Sequence, residues 1–193
     1  MTIEDGPDVG SNGAHAVASL VHASRRAQES PRAAKFLESV TAGGREVVGI
    51  HRAVAGAADN ADAVFRVGWG LQTSPDLGRR ELELVIFSVA HQRGAQFIWA
   101  RHEQLAVPEW LTPDETSAIR SGTYRESMDG KSTSTCDFAL AVSHAEGVEE
   151  AAARLARHMA PAELLTATLA ALYYCMMCDL DNYLGVGIDE REP

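Results

Sequence analysis

The stretch Arg79–Ala106, RRELELVIFSVAHQRGAQFIWARHEQLA, decides how this chain folds. Its apolar residues recur at helical spacing and Gly94 interrupts them, which predicts two helices, at about 76–93 and 95–106, meeting at a glycine stop. Each helix places one ionisable residue on its apolar side. Glu83 has Ile86, Phe87 and Ala90 at i+3, i+4 and i+7, and His102 has Ile98, Trp99, Leu105 and Ala106 as its i±3 and i±4 neighbours. A carboxylate and an imidazole that both point inward need partners, because burying either alone is costly. Each is available to the other. Two readings stay open at this point: a general acid/base couple in a mostly apolar pocket, or a structural pair that ties the helices together.

Outward from this segment the pattern stays helical. A modest apolar stripe covers 14–29. Ser30-Pro31 is a helix start and Gly43-Gly44 a stop. Helical spacing resumes at about 45–56 and 60–72, and Thr112-Pro113-Asp114-Glu115 is a capping box opening a helix to about Ser121. The run SMDGKSTST is expected as a loop before a helix at about 136–145. Gly147 separates that helix from one at 149–159, and Pro161 opens the last and longest, which ends before Gly185. No β alternation and no internal repeat appear, so the expected class is all-α. Residues 1–13, rich in Gly and Asp, are expected as a mobile tail, and 14–193 as a single helical domain. From Ala167 to Cys178 the last helix has only hydroxyls and thiols as polar groups. A helix apolar on every side is expected to be covered on every side, which points to a second subunit.

Composition limits the partners. With 193 residues and 46% apolar content, the chain can build a core without staples. A formal net charge of -10 argues against nucleic acid and anionic membranes. No uninterrupted run of about 18 apolar residues appears, and the N-terminus, MTIEDGPDVG, is acidic and polar. The expectation is a soluble, cytoplasmic chain with no signal peptide or spanning helix. Three cysteines do not suggest a secreted disulfide framework.

The remaining candidates each carry two readings. His91 is a second proton carrier or substrate contact, or else a helix-end histidine that answers the C-terminal dipole. Trp99, three residues before His102, walls a substrate pocket or fills a core or subunit interface. Cys175-Met176-Met177-Cys178 has dithiol spacing, but in an apolar stretch its thiols read as inert core residues. Arg25-Arg26 and Arg79-Arg80 read as solvated helix faces. There is no phosphate loop, nucleophile elbow or HExxH, and His91 and His102 lack an obvious third ligand, so neither a metal nor a cofactor is expected.

The stretch LELVIFSVAHQRGAQFIWARH, followed later by LYYCMMCDLDNYLGV, resembles the carboxymuconolactone decarboxylase / AhpD-like alkylhydroperoxidase family from about Val47 to Val186. The resemblance implies a helical bundle assembled as a homotrimer or hexamer. It lays the peroxidase branch's glutamate on Glu83 and its histidine on His102, and it finds Ala95 and Ile98 where that branch has cysteines. The peroxidase mechanism is therefore not carried over. Tyr173, Tyr174, Asp179 and Asn182 fall in the family's last-helix signature, where relatives often have arginine in place of Asp179.

The expected function is a cofactor-independent acid/base enzyme of lyase or isomerase type. It would decarboxylate, isomerise or dehydrate a small activated carbonyl or carboxylic acid substrate, in catabolism or natural-product tailoring. Glu83 and His102 would carry the proton, and Trp99, His91, Tyr174 and Ile98 would contact the substrate. Two alternatives stand beside it: a thiol-dependent hydroperoxide reductase using Cys175 and Cys178, and a non-catalytic oligomeric binding protein.

Overall fold

Helix boundaries follow the capping chemistry. The computed structural model of the protein describes residues 9–187, with side chains from residue 18 onward. Among them are eleven α-helices, one 3-10 turn and no strand. The helices are α1 (Val9–Gln28), α2 (Pro31–Ala42), α3 (Gly49–Val54), α4 (Asp59–Thr73), α5 (Arg79–Arg93), α6 (Gln96–Ala106), α7 (Pro113–Ser121), α8 (Tyr124–Ser127), α9 (Gly130–His144), α10 (Val148–Leu155) and α11 (Pro161–Leu184). Ser30 caps α2 by accepting from the Ala33 N–H, with Pro31 at the first position. Thr112 and Glu115 close the capping box of α7 reciprocally. Gly94 ends α5 at φ 64°, a left-handed conformation in which a side chain is strained. Of the expected N-terminal tail, residues 1–8 lie outside the described residues, and 9–13 form the first turns of α1.

Two elements differ from the sequence expectation. The SMDGKSTST run is mostly helix, because Asp129 caps α9 by accepting from the Ser132 N–H and helix follows from Gly130. Ser132, Ser134 and Thr135 are buried, and the Thr135 hydroxyl donates to the Lys131 carbonyl. Tertiary burial overrides the poor helix propensity of hydroxyl residues. The helix expected at 45–56 is a short α3 continued by the 3-10 turn Ala55–Ala57.

The chain forms two compact units. One comprises the described residues up to Asp62 together with Tyr183–Val186, and the other spans Ala63–Asn182 together with Gly187. In the first, α1, α2, α3 and the 3-10 turn pack on one another around Ala33, Phe36, Val40 and Ile50. In the second, α5 is the central rod: every residue from Leu82 to Ala90 is buried. It packs most extensively on α9, then on α6 and α7, and α10 packs on α9. A helix enclosed on all sides explains the near-continuous apolar run ELVIFSVA and isolates its one acid, Glu83, from water.

Arg79 and Arg80 are not the solvated face the sequence suggests; both sit partly buried at the start of α5. Arg80 forks onto both Glu115 oxygens and donates to the Trp110 carbonyl at 3.0 Å. The hydrogen bond from Arg80 holds the Glu115 carboxyl down to about 2. This ion pair fastens α7 against α5.

Helix α11 has an unusual distribution of side-chain size. Its small residues Ala167, Ala170 and Ala171 face inward with Tyr174 and Cys178. Its large residues Leu165, Leu169, Leu172 and Met176 are 61%, 52%, 55% and 39% exposed, so the all-round cover expected from the sequence is not supplied by the described residues. By length and composition the helix could cross a bilayer, but half of its most apolar window is buried in protein.

Candidate functional site

The antiparallel α5–α6 hairpin turns at Gly94 and brings Glu83 opposite His102. Glu83 is fully buried, and its Oε2 accepts from His102 Nδ1 at 2.9 Å. An ionised Glu83 only accepts, and against it Nδ1 carries the ring proton and Nε2 is left to accept or release another. The other carboxylate oxygen, Oε1, lies 2.7 Å from Nη2 of Arg79, one helical turn earlier on α5. Thus a buried anion meets a cation on one side and an imidazole on the other, which offsets its desolvation. The Arg79 guanidinium also lies 4.6 Å over the centre of the Trp110 ring.

Helix α11 closes the third side. The Tyr174 ring meets the His102 ring edge-on at 5.5 Å, and Tyr173 meets Tyr174 in the same manner at 5.2 Å. Burial pushes the Tyr174 phenol well above its ordinary range, while a hydrogen bond with Gln72 of α4 draws it partly back. The phenol is therefore a neutral hydroxyl near both Glu83 and Arg79. Tyr173 reaches its place because α4 has Gly68 there: a Cβ at that position would come within 2.3 Å of the Tyr173 hydroxyl.

The clustered groups are thus Glu83, His102 and Tyr174 from the sequence reading, joined by Arg79, Gln72 and Trp110, which that reading missed. Trp99 and His91 come together elsewhere. Trp99 packs edge-on against Phe87 at 4.7 Å and against His91 at 6.3 Å, under the Arg120 guanidinium at 4.4 Å. The exposed His91 is in the last turn of α5, where its carbonyl accepts from the Gly94 N–H. Ile98 is buried, and its N–H donates to Asp181 at 3.3 Å. Asp181 accepts from Phe97 N–H as well, so this carboxylate caps the start of α6 while burial pushes it up. Asn182 donates to the Arg93 carbonyl at 2.7 Å, at the end of α5. Asp179 is answered by the chain itself, with Arg93 Nη1 at 3.0 and 3.2 Å from its two oxygens.

Cys175 and Cys178 are free and buried, one turn apart on α11. Burial pushes the Cys178 thiol up. A regular helix holds i,i+3 Cβ atoms about 5–6 Å apart, whereas a disulfide requires about 3.5–4.5 Å. Forming one here would require the helix to distort. Among the described residues no three His, Cys, Asp or Glu side chains converge as ligands for a metal.

No protein-family model matches the chain, and no curated protein matches it.

Proposed function

We propose that the protein is a cofactor-independent acid/base enzyme. It acts on a small activated carbonyl or carboxylic acid substrate by decarboxylation, isomerisation or dehydration, with His102 as the proton carrier. The supporting observation is the 2.9 Å bond from His102 to a fully buried carboxylate. With Glu83 ionised, that bond holds the ring proton on Nδ1, the arrangement a proton-shuttling histidine needs. Glu83 orients the ring, and the neutral Tyr174 hydroxyl is a second donor for a developing oxyanion. The resemblance of Val47–Val186 to the carboxymuconolactone decarboxylase family, drawn from the sequence, is part of this proposal. A panel of β-keto acids and enolisable carboxylic acids is the test. Wild-type turnover is expected to vanish in His102→Ala while the circular dichroism spectrum is retained. Unchanged turnover in that variant overturns the reading.

We propose further that the working form is a homotrimer or hexamer joined along α11. Leu165, Leu169, Leu172 and Met176 recur at i, i+4, i+7 and i+11, and no charged residue lies between Leu164 and Cys178. A dry stripe of this kind suits like-to-like packing of helices. Sedimentation should show an oligomer that Leu169→Lys dissociates, and a monomeric wild type would sink the proposal.

A further inference from the structure

Arg79 occupies a position that helix energetics disfavours. It stands at the first residue of α5, where the positive end of the helix dipole repels a cation. Its partner Glu83 follows it at i+4, the weaker order for such a pair. Neither fact suits a residue placed there for helix stability. The contact geometry does explain it. Arg79 Nη2 lies 2.7 Å from Oε1 of Glu83 as an ion pair, outside hydrogen-bond geometry, and Oε2 accepts from His102 Nδ1. Without the arginine's charge, the enclosed carboxyl is favoured as the neutral acid, which donates to Nδ1 and leaves the ring proton on Nε2. The Trp110 ring, 4.6 Å from the guanidinium carbon, holds the arginine in register, and the side chain is only 21% exposed.

We infer that Arg79 is a positioning residue for His102: its charge keeps Glu83 an acceptor, so that the neutral imidazole exists as the Nδ1–H tautomer and Nε2 is the atom free to take a proton. This rests on the acid/base reading of the site. It assigns a working atom and a third member to what the sequence presents as a pair. No bond to substrate is made by Arg79, whose influence passes through Glu83.

The test is nitrogen-15 NMR of the histidine side chains in the full-length protein, with the His102 resonances assigned by their loss in His102→Ala. Wild type is expected to show a protonated Nδ1 and an unprotonated Nε2 in neutral His102. Arg79→Met should lose that preference, and Arg79→Lys, which keeps the charge without the planar fork, should retain part of it. Wild-type His102 found as the Nε2–H tautomer, or an Arg79→Met protein with unchanged His102 resonances, overturns the inference. Should Arg79→Met fail to fold, the wild-type tautomer and the lysine variant still decide it. The readout needs no substrate, so it is separate from the test of turnover: an enzyme inactive on every acid tried can still show the assigned tautomer, and an active one can lack it.

Discussion

Glu83→Ala is expected to lower folding stability by about 3–5 kcal/mol, the cost typical of breaking a buried ion pair from one side. The carboxylate is entirely enclosed, and its removal takes the ion-pair partner from Arg79, whose Nη2 lies 2.7 Å away, and the acceptor from His102 Nδ1 at 2.9 Å. Arg79 is partly exposed and can turn towards water, but His102 is buried and cannot. Glu83→Gln keeps the volume and should cost less, about 1.5–3 kcal/mol for a lost charge-assisted hydrogen bond. Urea denaturation of the three proteins at one pH measures both differences. A loss below about 1 kcal/mol in Glu83→Ala would mean that the pair is exposed to water in solution.

One turn along α5, Phe87→Ala should cost a similar amount for an unrelated reason. Phe87 is fully buried, and its ring meets Trp99 edge-on at 4.7 Å. Truncating a core phenylalanine costs about 3–5 kcal/mol in transfer and cavity terms. The aromatic contact accounts for about 0.5–1.5 kcal/mol beyond area. The variant should also lose near-ultraviolet circular dichroism, since Trp99 no longer has a rigid asymmetric wall. A loss under about 1.5 kcal/mol would show that α5 and α6 close the gap by moving together.

The main features of the fold were legible because they rest on local rules. Gly94, Ser30-Pro31 and the Thr112–Glu115 box act within one turn of chain, and the helices they bound are where the spacing puts them. Glu83 and His102 were legible for a related reason: each contradicts an apolar face, and two such contradictions on adjacent helices imply a meeting. Arg79 was missed because a basic pair at a helix start passes for a solvated face. The available signal was its sign, since a cation at the first helical position opposes the dipole and needs an acidic partner, here at i+4. Gln72, Trp110 and the cap formed by Asp181 had no sequence signal, because they depend on which distant helices meet. The helical SMDGKSTST run was hidden by propensity: hydroxyl residues look like loop until burial decides otherwise.

Asp181 and Asn182 grip the α5–α6 hairpin at its bend, one holding the first amides of α6 and the other the last carbonyl of α5. Ten residues of helix separate Arg93 from Glu83, about 15 Å along the rod. The hairpin therefore behaves as a pair of tongs: the pivot is at Gly94, the hand that steadies it is at the foot of α11, and the tips are the carboxylate and the imidazole. Fine alignment of the tips is governed from the handle. A random-mutagenesis screen for lost function would accordingly return positions 181 and 182 alongside 83 and 102, and the first two would pass for active-site residues although they touch neither tip.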